Sequence, residues 1–208
     1  MISPTQGFFV TGTDTGAGKS VACAWLVRVL DADYWKPVQS GLEGETDTQM
    51  VQRLTGLPGQ RFFPPTFSLT QPLSPHESAR RDGIRIRLDD FSLPTSSRPL
   101  VVEGAGGLLV PLNDQDYMID LIRQLGLPVI LVARTTLGTI NHTLLSLEAL
   151  VRRNIPVRGI ILSGPENRAN HATIATITKV AILASIPHLD PLTPATLARV
   201  APLAHDLG

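Results

Sequence analysis

Phe8-Phe9-Val10-Thr11-Gly12-Thr13-Asp14-Thr15-Gly16-Ala17-Gly18-Lys19-Ser20 is the stretch that decides the fold. Apolar, β-prone residues run into a glycine-rich turn, and Val21 to Leu30 continues as a helical run. In that context the turn reads as a phosphate-binding loop. Its glycines let successive N–H groups turn inward around phosphate oxygens, and the helix start adds its positive end. Lys19 reaches the terminal phosphates, and the Ser20 hydroxyl can ligate magnesium. The usual pattern has its first glycine where Thr13 stands; Gly12 comes one place earlier, so the loop is a lengthened form. A dinucleotide fingerprint fits less well. No third glycine follows Gly16-Ala17-Gly18 at the right distance, and no acidic residue follows a second strand at the expected place.

Outward from the loop, short apolar runs alternate with amphipathic ones. Strands are predicted over Phe8–Thr11, Tyr34–Val38, Leu100–Glu103, Pro128–Ala133, Val157–Leu162 and Ala181–Ile186. Most lack a polar face, which suits a parallel sheet covered by helices above and below. The expected fold class is therefore α/β: a doubly wound, mainly parallel sheet with helices on both faces, like a P-loop NTPase. A helix is predicted over Gly138–Arg153, with Ile140, Leu144, Leu147 and Val151 on one stripe and Pro156 barring continuation. A last helix starts with Thr193 as N-cap and Pro194 at the first position, with Leu197, Val200 and Leu203 on one face. Pro58 to Pro75, with five prolines, and Asp82 to Pro99 read as long surface loops.

The chain has 208 residues and 43% hydrophobic composition, enough for a single domain over 1–208 with a full core and no structural metal. Lys+Arg and Asp+Glu balance at 18 each, which removes the broad attraction that non-specific nucleic-acid binders rely on. Cys23 is the single cysteine, so no disulfide or Cys-type zinc site forms within one chain, and it reads as a small buried residue. No signal-peptide pattern or long uncharged apolar run is present, so the expectation is a cytoplasmic protein without a membrane partner.

Ligands of open parallel sheets bind at the carboxyl ends of the strands, so polar residues there come first. Glu103 follows Leu100-Val101-Val102 and precedes Gly104-Ala105-Gly106-Gly107, placing a carboxylate at a strand tip as a magnesium ligand or a salt-bridge partner. Asp47 opens a short helical run and reads equally as an N-cap or as a second carboxylate on the metal. Lys36 is held extended by Pro37 at the end of the second strand, which is expected next to the first. It is either an ordinary strand-end lysine or a second cation facing the phosphates.

Taken in order, Gly12-Thr13-Asp14-Thr15, Gly18-Lys19-Ser20, Lys36-Pro37-Val38-Gln39-Ser40-Gly41, Ser74-Pro75-His76, Glu103-Gly104-Ala105-Gly106-Gly107 and Leu137-Gly138-Thr139-Ile140-Asn141-His142 resemble the dethiobiotin synthetases. The resemblance spans residue 8 to about residue 189. It implies that ATP, Mg²⁺ and CO₂ or bicarbonate convert 7,8-diaminononanoate into a cyclic urea through a carbamate and a carbamic-phosphoric anhydride, in a homodimer. It also implies roles. Lys19 and Lys36 would be catalytic, and Ser20, Asp47 and Glu103 would hold the metal. Thr15, Gly16, Ala17, Gly18, Val21, Gly104, Ala105, Gly106, Ser163, Gly164, Pro187, His188 and Leu189 would contact the nucleotide. Thr13 and Ser40 would touch the carbamate or diamine. Gly138, Thr139 and Asn141 would offer a helix start to the diamine's distant carboxylate, from the partner subunit. This chain has Gly16 where many relatives carry an acidic residue, and Ser163-Gly164 where they carry Asn-Asp able to read an adenine edge. His76 and His142 receive no acid–base role.

Two other readings compete. A regulatory ATPase of the deviant-P-loop type carries a lysine five residues before the loop lysine; that place is Asp14 here, which counts against it. A nucleotide-binding module without catalysis would not need Lys36 and Glu103 beside an intact Lys19.

Overall fold

Phe8 and Val10 point to one side of their strand and Phe9 to the other, and all three are buried. A strand apolar on both sides needs cover on both sides, and that requirement organises the molecule. A computed structural model describes residues 7–201. In chain order its strands are β1 (Gly7–Gly12), β2 (Asp33–Trp35), β3 (Val38–Ser40), β4 (Phe62–Phe63), β5 (Phe67–Leu69), β6 (Leu100–Gly107), β7 (Val129–Arg134), β8 (Val157–Ser163) and β9 (Ile182–Ile186). The helices are α1 (Lys19–Val29), α2 (Asp47–Thr55), α3 (Pro75–Arg81), α4 (Met118–Leu125), α5 (Thr139–Val151), α6 (Arg168–Thr178) and α7 (Pro194–Leu197).

Seven strands form one sheet in the order β4-β2-β6-β1-β7-β8-β9, and every ladder in it is parallel. Val10, Val101, Ile130, Val132 and Ile161 face α1, whose Cys23, Trp25 and Leu26 close that layer. Phe9, Leu100, Val102 and Val129 face the opposite layer, where α4 contributes Met118, Ile119 and Ile122. Further along that face, Leu131 and Ile160 pack with Leu147 of α5 and Ile174 of α6. The doubly wound α/β expectation is met. Among the described residues no helix is long and apolar enough to cross a membrane.

Several expectations change. The second strand does not lie beside the first: β6 pairs with both β1 and β2 and separates them. Leu100 to Val102 are fully buried and apolar toward both layers, which suits a central slot that the three-residue β2 cannot fill. Tyr34 to Val38 is not one strand either. Pro37 has no N–H for a ladder, and beyond it β3 leaves the main sheet to pair with β5. The proline-rich segment is not loop alone, since β4 extends the main sheet beside β2 and β5 supports β3. Within Asp82 to Pro99, Ile86 and Phe91 are buried in the α4-side core, so this segment is only partly surface.

On α5 the buried stripe is Thr139, Thr143, Leu147 and Leu150. Val151, assigned to the stripe by periodicity, is 67% exposed, because the packed stripe runs through Leu147 and Leu150 to Ile155 and leaves Val151 on the outer side. α7 does start with Thr193 as N-cap and Pro194 at its first position, with the Thr193 side chain accepting from the Thr196 N–H. It spans only four residues, and Leu203 lies outside the described ones.

Candidate active site

The phosphate loop leaves β1 and enters α1 through Gly18, whose φ of 91° is left-handed. A Cβ there would meet Ser163 Oγ at 2.2 Å, so Gly18 is required both by its backbone and by the close approach of β8's end. No side chain caps α1, which leaves its first N–H groups available to an anion. Gly12 is needed for a different reason. A Cβ there would lie 3.1 Å from the Lys19 ammonium, which folds back to donate to the Asp14 carbonyl at 3.1 Å.

Sheet register brings the remaining charges together. Trp35 pairs with Val102, so the next residues, Lys36 and Glu103, fall side by side. With period two, Tyr34 and Lys36 share the side that carries Val101 and Glu103, toward α1. Glu103 is not at a strand tip as expected: β6 runs on to Gly107, and the carboxylate is the fourth of eight strand residues, 1% exposed. It is surrounded there by hydrogen-bonding partners. Lys36 Nζ donates to Glu103 Oε1 at 3.1 Å and pairs with Asp47 Oδ2 at 2.9 Å, while the Tyr34 hydroxyl donates to Glu103 Oε2 at 2.8 Å. Ser20 Oγ lies 2.8 Å from Asp47 Oδ1 and 2.9 Å from Glu103 Oε1.

Asp47 is not the N-cap of α2. Thr46 is, in a reciprocal capping box with Gln49, which leaves Asp47 free to face Lys36 and Ser20. Lys36 is therefore no ordinary strand-end lysine, being 3% exposed between two carboxylates.

The protonation balance follows from this packing. Burial alone would depress the Lys36 ammonium, but Glu103 and Asp47 outweigh it and raise its pKa above the usual lysine value. Lys19 moves the other way: burial lowers it against the pull of Glu103, and neighbouring Lys36 lowers it further. Burial would raise Asp47, but Lys36 holds it below the ordinary value of 3.8. Burial, then Glu103, pushes both the Tyr34 hydroxyl and the Cys23 thiol well up, so both stay protonated beside the carboxylate. A carboxyl depressed by folding stabilises above its unfolded value, and that stabilisation disappears as pH falls through the folded one. Stability should therefore fall as pH drops below about 3.8, and Asp47→Asn should flatten that limb of a urea-denaturation series across pH.

A cavity of about 740 Å³ opens over this cluster. It brings together Thr15, Gly16, Gly18, Lys19, Ser20, Val21, Lys36, Ser40, Asp47, Ala105 and Gly106 of the expected site residues. Ala17, within the loop, is buried, and Glu103 and Gly104 are not among the lining residues, though the Gly104 carbonyl is 3.4 Å from Lys36 Nζ. Ser40 Oγ is buried without a hydrogen-bond partner, so a donor or acceptor beside Lys36 is in reserve.

A protein-family profile described as an AAA domain matches residues 6–196. The ATP-dependent dethiobiotin synthetase of Paramagnetospirillum magneticum is 52% identical over 165 residues, covering 79% of this chain and 80% of the relative. That of Brucella ovis is 56% identical over 158 residues, covering 76% and 74%. The chain belongs to the dethiobiotin synthetase family. Solved structures with the same fold include a ParA family ATPase from Chlorobium tepidum, with a TM-score of 0.57, 14% identity and coverage of 96% of this chain and 93% of that one. A plasmid partition protein from Borrelia burgdorferi bound to AMPPNP gives 0.54 and 12%, with 97% and 93% covered. At such identities only the fold is shared.

For this dethiobiotin synthetase relative, the other expected residues lie apart from the cavity. Thr13, within the loop, does not line the cavity, and its N–H donates to the Val132 carbonyl. Ser163 abuts Gly18, whereas Gly164 and Pro187 line a separate hollow of about 470 Å³, and His188 and Leu189 line a third with Pro187. Gly138, Thr139 and Asn141 start α5 away from the cavity; the Thr139 hydroxyl donates to the Arg134 carbonyl, while Gly138 and Asn141 are exposed. The His76 backbone N–H donates to the Pro111 carbonyl while its ring Nδ1 is buried without a hydrogen-bond partner, and His142 is exposed on α5.

Residues not anticipated also shape the site. Pro72, Leu73, Met50, Val110 and Leu192 form apolar walls, and Tyr34 orients Glu103. Tyr34 had a signal: it stands two places before Lys36, and period two puts both on one side.

Proposed function

We propose that this protein is an ATP-dependent dethiobiotin synthetase. It carboxylates 7,8-diaminononanoate with CO₂ and closes the cyclic urea in biotin formation. The observation that carries the reading is the buried Lys36 ammonium, 2.9 Å from Asp47 and 3.1 Å from Glu103, sharing the cavity with Lys19 of the phosphate loop. Two ammonium groups in one cavity suit a reaction that joins two anions, a triphosphate and a carbamate.

One substrate amine adds to CO₂ and gives up a proton to form a carbamate. A carbamate oxygen attacks the γ-phosphorus and expels ADP. The second amine then attacks the carbamoyl carbon, and phosphate leaves as the ring closes. In this scheme the loop N–H groups and Lys19 hold the β- and γ-phosphates, Lys36 holds the carbamate oxygens in line, and Ser40 contacts the carbamate or diamine. The apolar walls at Pro72, Leu73 and Val110 cover the aliphatic chain and exclude water from the anhydride.

Ser20 Oγ and the two carboxylate oxygens that face it, Asp47 Oδ1 and Glu103 Oε1, form a donor set of hard oxygens that matches Mg²⁺. Among the described residues no group of three or more His, Cys, Asp or Glu forms a metal site, and Mg²⁺ bound to phosphates needs only one or two carboxylates. Ser20, Asp47 and Glu103 would hold it, and when bound it supplies neutralisation of polyphosphate charge.

The start of α5 suits the diamine's carboxylate in a partner subunit, because Gly138 and Asn141 are exposed and Leu137 is fully so. The working unit is then a homodimer. Phosphate release from ATP is expected only when the diamine, bicarbonate and Mg²⁺ are all present. Equal release without the diamine would favour a regulatory ATPase, and bound nucleotide with no release under any condition would favour a non-catalytic module.

A further inference from the structure

The phosphate loop carries one acidic residue, Asp14, on the very segment that must receive a polyphosphate. Its carboxylate is not free: Oδ2 is paired with the guanidinium of Arg134, the last residue of β7. β7 runs beside β1, with Gly12 opposite Val132 and the Thr13 N–H bonded to the Val132 carbonyl, so the end of β7 lies alongside the loop. Arg134 is anchored in turn, since its carbonyl accepts from the Thr139 hydroxyl at the start of α5. The main-chain carbonyl of Asp14 is the acceptor for Lys19 Nζ at 3.1 Å, so whatever fixes Asp14 also fixes the loop lysine. Arg134 does not line the phosphate cavity. Its side-chain contact with the loop is the pair with Asp14.

We infer that Arg134 is a positioning residue of the phosphate loop, neutralising Asp14 and holding the carbonyl on which Lys19 rests. Without it, a carboxylate whose side chain is 28% exposed would stand unpaired on the loop, repelling incoming phosphates and competing with them for Lys19. The inference rests on reading this loop as the nucleotide site, and the test separates the two.

Calorimetric titration with MgATP is carried out on the full chain, on Arg134→Ala and on the double variant Asp14→Asn/Arg134→Ala. Arg134→Ala should raise the dissociation constant by about fivefold or more, and the double variant should recover to within about twofold of the unaltered protein. The deficit of Arg134→Ala should shrink in high salt, which a loss of packing would not do. Unchanged affinity in Arg134→Ala overturns the inference. So does a double variant as weak as the single one, because Arg134 would then act on the nucleotide directly or on the fold. If Arg134→Ala does not fold, Asp14→Asn alone decides: it should bind MgATP at least as tightly as the unaltered protein, and a fivefold loss refutes the idea. Failure of the unaltered protein to bind MgATP would instead refute the nucleotide site itself.

Discussion

Lys36→Ala is expected to lower turnover by about 10³-fold while nucleotide affinity stays within about threefold. The reason is geometric. Lys36 comes from the far side of β6, reaching the cavity between Glu103 and Asp47, whereas the phosphate loop and α1 supply a complete cradle without it. An interaction that matters chiefly as charge builds on the transferring phosphoryl and carbamate oxygens lowers kcat more than binding. The substitution also leaves Glu103 buried with fewer partners, so urea denaturation must accompany the kinetics to establish that the variant is folded under assay. Nucleotide affinity weakened tens of times over would move Lys36 from the reacting groups to the binding ones.

Glu103→Ala should have the largest effect on stability. Its carboxylate is 1% exposed and bonded to Lys36, Tyr34 and Ser20. Removing it leaves the buried Lys36 ammonium with Asp47 as its remaining carboxylate and the buried Tyr34 hydroxyl without its acceptor, at a cost of about 3–5 kcal/mol. For a chain of this size that corresponds to a fall in melting temperature of roughly 6–20 °C. Asp47→Ala provides the contrast. Its side chain is 35% exposed, water can replace part of what is lost, and about 1 kcal/mol or less is expected. Differential scanning calorimetry of the pair is decisive, and equal losses would mean that Glu103 is not the buried anchor of the cluster.

Much of this site could be read in the sequence because its parts are local. Gly18, Lys19 and Ser20 are consecutive, and their chemistry follows from the strand before and the helix after. Asp47 was ambiguous for a local reason as well. Thr46 beside it is an equally good cap, and only the capping box with Gln49 decides between them. Relations between distant segments were not legible. That β6 slots between β1 and β2 depends on which strand is best buried on both faces, a property of the assembled sheet. β4 and β5 are two and three residues long, too short for periodicity to register, and they exist because β2 and β3 offer them edges. The Asp14–Arg134 pair joins residues 120 positions apart, and no spacing rule reaches that far.

The insertion of β6 between β1 and β2 has one more consequence. Neighbouring strands in any sheet lie about 4.8 Å apart. The phosphate loop, the Glu103 carboxylate and Lys36 therefore hang from three adjacent rungs of the same lattice, and the spacing of the backbones that carry them is set by its pitch. Drift in the sequences of the outer helices and connecting turns leaves that ruler untouched. Only a slip of one strand past its neighbour would change it, and such a slip would turn Glu103 to the opposite side of the sheet.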